Sequence, residues 1–151
     1  MPDRFFLQAT CVAVDGVGVL LRGPSGSGKS DLALRLIDGG ARLIADDGVE
    51  LSRRGDALIA RLPAAAPDSV RGRLEARGLG IMPAPSVDEA TVGLLVDLAS
   101  AGVIDRLPPP AAVEWLGVSV AAVKLAGLEP SAPAKVRLAV AAAKGSIIGS
   151  S

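Results

Sequence analysis

Apolar and polar positions alternate in short runs over the first part of the chain, and the period lengthens near residue 29. Gln8-Ala-Thr-Cys-Val-Ala-Val14 alternates and is rich in β-branched residues, and Val17-Gly-Val-Leu-Leu-Arg22 follows after Asp15-Gly16. A two-residue Asp-Gly connection between such runs predicts a β-hairpin. Leu32, Ala33, Leu36 and Ile37 then recur at helical spacing until Gly39-Gly40 stops the pattern. Residues 41–45 read as a buried strand ending at Asp46-Asp47, and residues 49–53 and 57–62 as a second hairpin around Arg54-Gly55-Asp56. Beyond them lie a Gly-punctuated segment at 78–82, a central strand at 91–98 and a rigid surface connection at Pro108-Pro109-Pro110. Residues 116–125 are expected to form an edge strand and residues 132–143 a closing helix.

Composition narrows the function classes. The 151 residues suit a single domain, and with 50% hydrophobic and 21% charged residues the chain can bury a core. Sixteen basic residues balance sixteen acidic ones, which leaves no charge excess to hold a nucleic acid or an anionic membrane. No apolar run reaches the ~20 residues needed to span a bilayer, and the start lacks the order of a secretory signal. One cysteine, Cys11, cannot form an internal disulfide, so a reducing cytoplasm is the expected compartment. With no histidine, every His-dependent triad and His-ligated zinc site is excluded. Cys11 reads as a small buried apolar side chain rather than a nucleophile. Trp115, the sole tryptophan, suits packing better than ligand stacking. Lys135, Arg137 and Lys144 are expected to form a solvated basic stripe on the last helix, with a docking surface as the alternative.

Gly23-Pro24-Ser25-Gly26-Ser27-Gly28-Lys29-Ser30 matches G-x-x-x-x-G-K-[ST] in full, between a predicted strand and a predicted helix. Glycines let the backbone curl so that successive N–H groups point inward at a helix N-terminus, where they bind phosphate oxygens. Lys29 adds a cation for the β- and γ-phosphates, and the Ser30 hydroxyl is placed to ligand Mg²⁺. The fold class that follows is α/β: a P-loop kinase-type core with a mixed β-sheet, the P-loop helix and a C-terminal helix.

Asp46-Asp47 closes the strand after that helix, and ligands of open α/β sheets sit at the carboxyl ends of strands. One carboxylate can hold Mg²⁺ and the other accept a proton, without the spacing saying which does which. Arg73-Leu-Glu75-Ala-Arg77-Gly78-Leu79-Gly80-Ile81 is a third cluster. Glu75 can add an oxygen to Mg²⁺ and Arg77 can meet phosphoryl charge, or the segment is a basic, Gly-containing turn.

The order and spacing of these three motifs, over about residues 8–82, resemble the HPr kinase/phosphorylase family. The tail with Asp105-Arg-Leu-Pro108 resembles its short, single-domain proteobacterial branch. The resemblance implies one catalytic domain over residues 1–151 that uses ATP and Mg²⁺ to phosphorylate a serine of the phosphocarrier HPr. It also implies removal of that phosphate by inorganic phosphate, and assembly as a homo-oligomer, hexameric in relatives; the mean hydropathy of +0.45 leaves apolar surface for this. By position, Gly23, Pro24, Ser25, Gly26, Ser27, Gly28, Lys29 and Ser30 would hold the nucleotide. Asp46 would be the general base, Asp47 would support the metal–phosphate network, Glu75 would join Ser30 on Mg²⁺, and Arg77 would open the segment linked to phosphorolysis.

Three positions depart from the family pattern. Gln8 stands where the family has a histidine beside the active site, and a glutamine hydrogen-bonds but carries no proton near neutral pH. Ala76 replaces an isoleucine, and Pro83-Ala-Pro-Ser86 replaces a basic, Gly-rich capture loop. Two other functions stay open on the sequence: a nucleotide-binding regulator silenced at Gln8, and a P-loop kinase for a small metabolite.

Overall fold

Asp15 and Gly16 turn the chain back with φ of 50° and 80°, the left-handed pair that a two-residue hairpin requires. The computed structural model describes residues 3–148. Its strands are β1 (Arg4–Leu7), β2 (Thr10–Val14), β3 (Val17–Arg22), β4 (Arg42–Ala45), β5 (Val49–Arg54), β6 (Ala57–Arg61), β7 (Arg73–Ala76), β8 (Gly80–Pro83), β9 (Glu89–Leu98), β10 (Ala111–Trp115) and β11 (Val118–Leu125). Helix α1 (Lys29–Asp38) follows β3, and α2 (Ala132–Ile148) ends the described chain.

The main sheet runs β1-β5-β6-β9-β3-β2-β4, with β11 also on β9 and β10 on β11. Strand β9 is long enough to divide one flank between two partners. Residues 89–91 pair antiparallel with β6, and residues 94–98 pair parallel with β11. Its other flank pairs parallel with β3. Because β2 is antiparallel to both β3 and β4, those two run the same way, and α1 is the crossover between them. The carboxyl ends of β3, β4, β9 and β11 therefore open towards one end of the sheet, where an α/β ligand site belongs.

Each face of the sheet has its own core. On one side α1 buries Leu32, Ala33, Leu36 and Ile37, and α2 buries Ala132, Val136 and Val140, against Val12, Leu21, Leu94 and Val96. The i, i+4, i+8 spacing on α2 makes that stripe. On the other side Cys11, Leu20, Leu51, Leu58 and Leu95 line the inside of a curl. The curl brings the ends of the sheet together: the Phe5 and Trp115 rings lie 6.0 Å apart, and Arg53 Nη1 donates to the Leu116 carbonyl at 2.9 Å.

Several elements differ from expectation. Gln8 lies between β1 and β2 rather than in a strand, and β1 is an additional element. Residues 116–125 are not an edge strand. Leu116 and Gly117 are the turn of a β10–β11 hairpin, with φ of 52° and 79°, so β11 is flanked on both sides and β10 forms the edge. The basic residues of the last helix stay at the surface as expected: exposed Lys135 pairs with Glu129 at 3.3 Å, and Lys144 Nζ donates to the Asp15 carbonyl at 3.0 Å. The Gly-punctuated segment is half of the small β7–β8 hairpin. After it, Pro83-Ala-Pro-Ser86 leads back along the free side of β4, where Leu43 N–H donates to Pro85 O at 2.7 Å and Val87 N–H to Leu43 O at 3.0 Å. Among the described residues no helix is long and apolar enough to cross a membrane.

Candidate active site

Residues 23–28 leave β3 and enter α1 through a turn in which Ser27 N–H donates to Pro24 O at 3.0 Å. Gly26 and Gly28 adopt φ of 82° and 96°. At Gly28 the backbone angle favours glycine, and a Cβ would also come 2.8 Å from the side chain of the exposed Leu128. The loop precedes the first turn of α1, whose leading N–H groups have no intrahelical acceptor and present a positive helix end. Lys29 Nζ donates to Gly23 O at 2.7 Å, which folds the ammonium back over the loop. Next to the loop, Arg22 on β3 makes two hydrogen bonds to Asp97 on β9, 2.7 and 3.0 Å, and lies 5.7 Å from the Trp115 ring centroid. The bonds to Asp97 hold the guanidinium above its ordinary pKa and join the ends of two strands that frame the site.

A register shift between Cys11 and Val12 orients the aspartates. Cys11 faces Ala45 but Val12 faces Leu43, so Ile44 is an extra residue in β4. Such a bulge breaks the alternation of faces. Ile44 and Ala45 both pack inside the curl, and Asp46 thereby turns towards α1. There Asp46 Oδ1 accepts from Ser30 Oγ and from Thr10 Oγ1, each at 2.9 Å, while Oδ2 accepts from Glu75 N–H at 3.0 Å. Asp47, at φ 58°, is exposed, and its N–H donates to Thr10 Oγ1 at 3.2 Å.

Two cavities adjoin the loop. One, of about 250 Å³, is lined by Gln8, Gly23, Pro24, Ser25, Lys29 and Asp47. It brings Gln8 beside the lysine and the second aspartate. The other, about 620 Å³, lies between residues 24–27 and the ends of β9 and β11, with Leu98, Ala126 and Leu128 among its walls. Arg35 of α1 secures the second wall by donating to the carbonyls of Glu129, at 2.9 Å, and of Gly127.

The remaining sites expected from sequence are placed less centrally. Glu75 reaches Asp46 through its backbone N–H, and its side chain is exposed. Arg77 is exposed at the tip of the β7–β8 hairpin. Among the described residues no three His, Cys, Asp or Glu side chains converge into a metal-holding group. The donor set nevertheless fits a Mg²⁺-bound phosphate. Ser30 directs its proton to Asp46 and so keeps oxygen lone pairs for a cation, and Mg²⁺ is commonly held by one or two protein groups plus phosphate oxygens. Thr10 was not singled out from sequence, because a threonine in a β-branched run carries no signal apart from strand formation. Residues 126–130 carry no motif and are brought to the loop by the β9–β11 pairing and by Arg35.

Comparison with known proteins assigns the chain to a family. A 76-residue segment is 47% identical to HPr kinase/phosphorylase of Exiguobacterium sp. (strain ATCC BAA-1283 / AT1b), covering 50% of this chain and 24% of that protein. The corresponding protein of Chlorobium limicola is 35% identical over 143 residues, 85% of this chain and 40% of the relative. The chain thus spans well under half the length of these relatives. The solved structure of the Hpr(Ser) kinase/phosphatase from Coxiella burnetii superposes with a TM-score of 0.82 at 25% identity, covering 96% of this chain and 93% of that one. The family model for the HPr Serine kinase C-terminal domain matches residues 2–90, the stretch that holds the glycine-rich loop, both aspartates and the β7–β8 hairpin, and the chain belongs to that family.

Proposed function

We propose that this chain is the catalytic domain of a protein-serine kinase that transfers the γ-phosphoryl group of ATP to HPr, with residues 23–30 as its P-loop. The observation that carries the reading is the Ser30–Asp46 hydrogen bond of 2.9 Å, which joins the loop's helix to the carboxylate at the end of β4. The loop amides and Lys29 would hold the β- and γ-phosphates, and the cavity of about 620 Å³ has room for the base and sugar. Ser30 and Asp47 would hold Mg²⁺, with Glu75 as a further oxygen donor; the ion's chemistry would be to neutralise phosphate charge. Of the roughly four lone-pair positions on the Asp46 carboxylate, three accept hydrogen bonds, which leaves one on Oδ2 for the proton of the attacking serine. In the reverse direction inorganic phosphate would attack the phosphoserine, forming pyrophosphate, and Asp46 would return the proton to the serine oxygen.

A protein acceptor suits the surroundings better than a small metabolite. The space beside Asp47 and Lys29 is only about 250 Å³, and the hairpin that touches Asp46 exposes Leu79, Ile81 and Met82. Incubation with Mg-ATP and HPr, read by intact mass and serine-site mapping, tests the proposal. It predicts an HPr serine adduct that disappears with Lys29→Ala, and ATP binding without any adduct would refute it.

A further inference from the structure

We propose that Thr10 is a positioning residue that sets both aspartates at once, an inference that rests on the phosphoryl-transfer reading of this site. Thr10 is 0% exposed and is the buried polar side chain of the core among the described residues. A hydroxyl has one proton to give and two lone pairs to offer. Thr10 uses both capacities within the Asp46-Asp47 step: Oγ1 donates to Asp46 Oδ1 at 2.9 Å and accepts the Asp47 N–H at 3.2 Å. The first bond fixes the direction of a side chain. The second holds a backbone turn at φ 58°, a conformation that non-glycine residues seldom adopt.

The placement follows from the fold. Thr10 opens β2 on the α1 side, and the bulge in β4 is what turns Asp46 to that same side. Branching at Cβ leaves threonine few rotamers, so the hydroxyl is held ready without a further partner. Thr10 does not line the cavity that holds Lys29, Gln8 and Asp47, so any effect it has on chemistry passes through the two aspartates. Ser30 offers Asp46 one donor from the helix, and Glu75 N–H offers another from the hairpin. Of these three donors, only Thr10 also engages Asp47, which makes it the link between the proton acceptor and the residue expected beside the cation.

Steady-state transfer to HPr by the full chain, compared for wild type, Thr10→Val and Thr10→Ser, tests this. Valine keeps the shape and removes both hydrogen bonds; serine keeps the hydroxyl. The expected result is a kcat about 10²-fold lower for Thr10→Val, the scale of a small misplacement of reacting groups. Its KM for ATP should rise far less than kcat falls, since Asp47, expected beside the cation, keeps its carboxylate and loses only one backbone tie. Thr10→Ser should return kcat to within about threefold of wild type. Wild-type kcat in Thr10→Val overturns the inference alone, as does an equal loss in both variants with a lowered melting temperature. No transfer by the wild type overturns the functional reading, and the inference with it.

Discussion

The Ser30 hydroxyl and the Asp46 carboxylate meet at 2.9 Å, across sixteen residues and two elements of secondary structure. The contact joins the first turn of α1 to the carboxyl end of β4, so the glycine-rich loop and the acid are positioned by one another. Asp46→Asn preserves an oxygen for Thr10 and Ser30 but removes the proton acceptor. Phosphoryl transfer to HPr should fall by about 10²- to 10⁴-fold, the range for a lost general base. Mg-ATP affinity, measured by titration calorimetry, should stay within about threefold of wild type. A parallel loss of binding would assign Asp46 to the cation instead.

Gly28→Ala probes the loop's backbone. At φ 96° the new side chain would strain the loop, and its Cβ would come 2.8 Å from Leu128. The strain is worth about 1–3 kcal/mol, and the exposed Leu128 side chain, which lines the large cavity, would have to swing aside. Expected outcomes are a lower melting temperature and at least a tenfold weaker ATP affinity, since 1.4 kcal/mol corresponds to about tenfold. Gly26→Ala is the control: its φ of 82° carries similar strain, but no atom lies within 4 Å of the added carbon. It should cost stability with a smaller change in the large cavity.

The positions of the loop, α1 and both aspartates were legible because each rests on local chemistry: a glycine-rich octet, a 3.6-residue period and a polar pair ending an apolar run. The direction in which Asp46 points was not. It depends on the extra Ile44 opposite β2, and a bulge inside an apolar strand leaves the hydrophobic pattern intact. The β10–β11 turn was hidden for a similar reason, since it uses Leu116 where hairpin turns favour Asn, Asp or Gly. Glu75 shows a third limit. Its place in the sequence is conspicuous, yet the contact it makes with Asp46 comes from the backbone, which any residue other than proline would supply.

Cys11 offers a test of the core inside the curl. It is fully buried, and burial pushes its thiol well above the ordinary range. The folded protein should therefore resist thiol reagents in mildly alkaline buffer, because the thiolate is the reactive form. In denaturant one thiol per chain should react. Rapid labelling of the folded chain would show that the curled side of the sheet opens readily.

Gln8, Lys29 and Asp47 line the same small cavity, so position 8 faces the place where transferred phosphate would lie. Glutamine can hydrogen-bond there but adds no charge at any working pH. Gln8→His would introduce a group that titrates near pH 6.5. Its protonated form would join Lys29 in meeting phosphoryl charge, so transfer should quicken as pH falls through that midpoint. The wild type and Gln8→Ala should show no such step in rate. If the wild type binds ATP yet transfers nothing, and Gln8→His transfers readily, the chain is a nucleotide-binding regulator silenced at this one position. If all three transfer at similar rates with the same pH profile, residue 8 lies outside the chemistry.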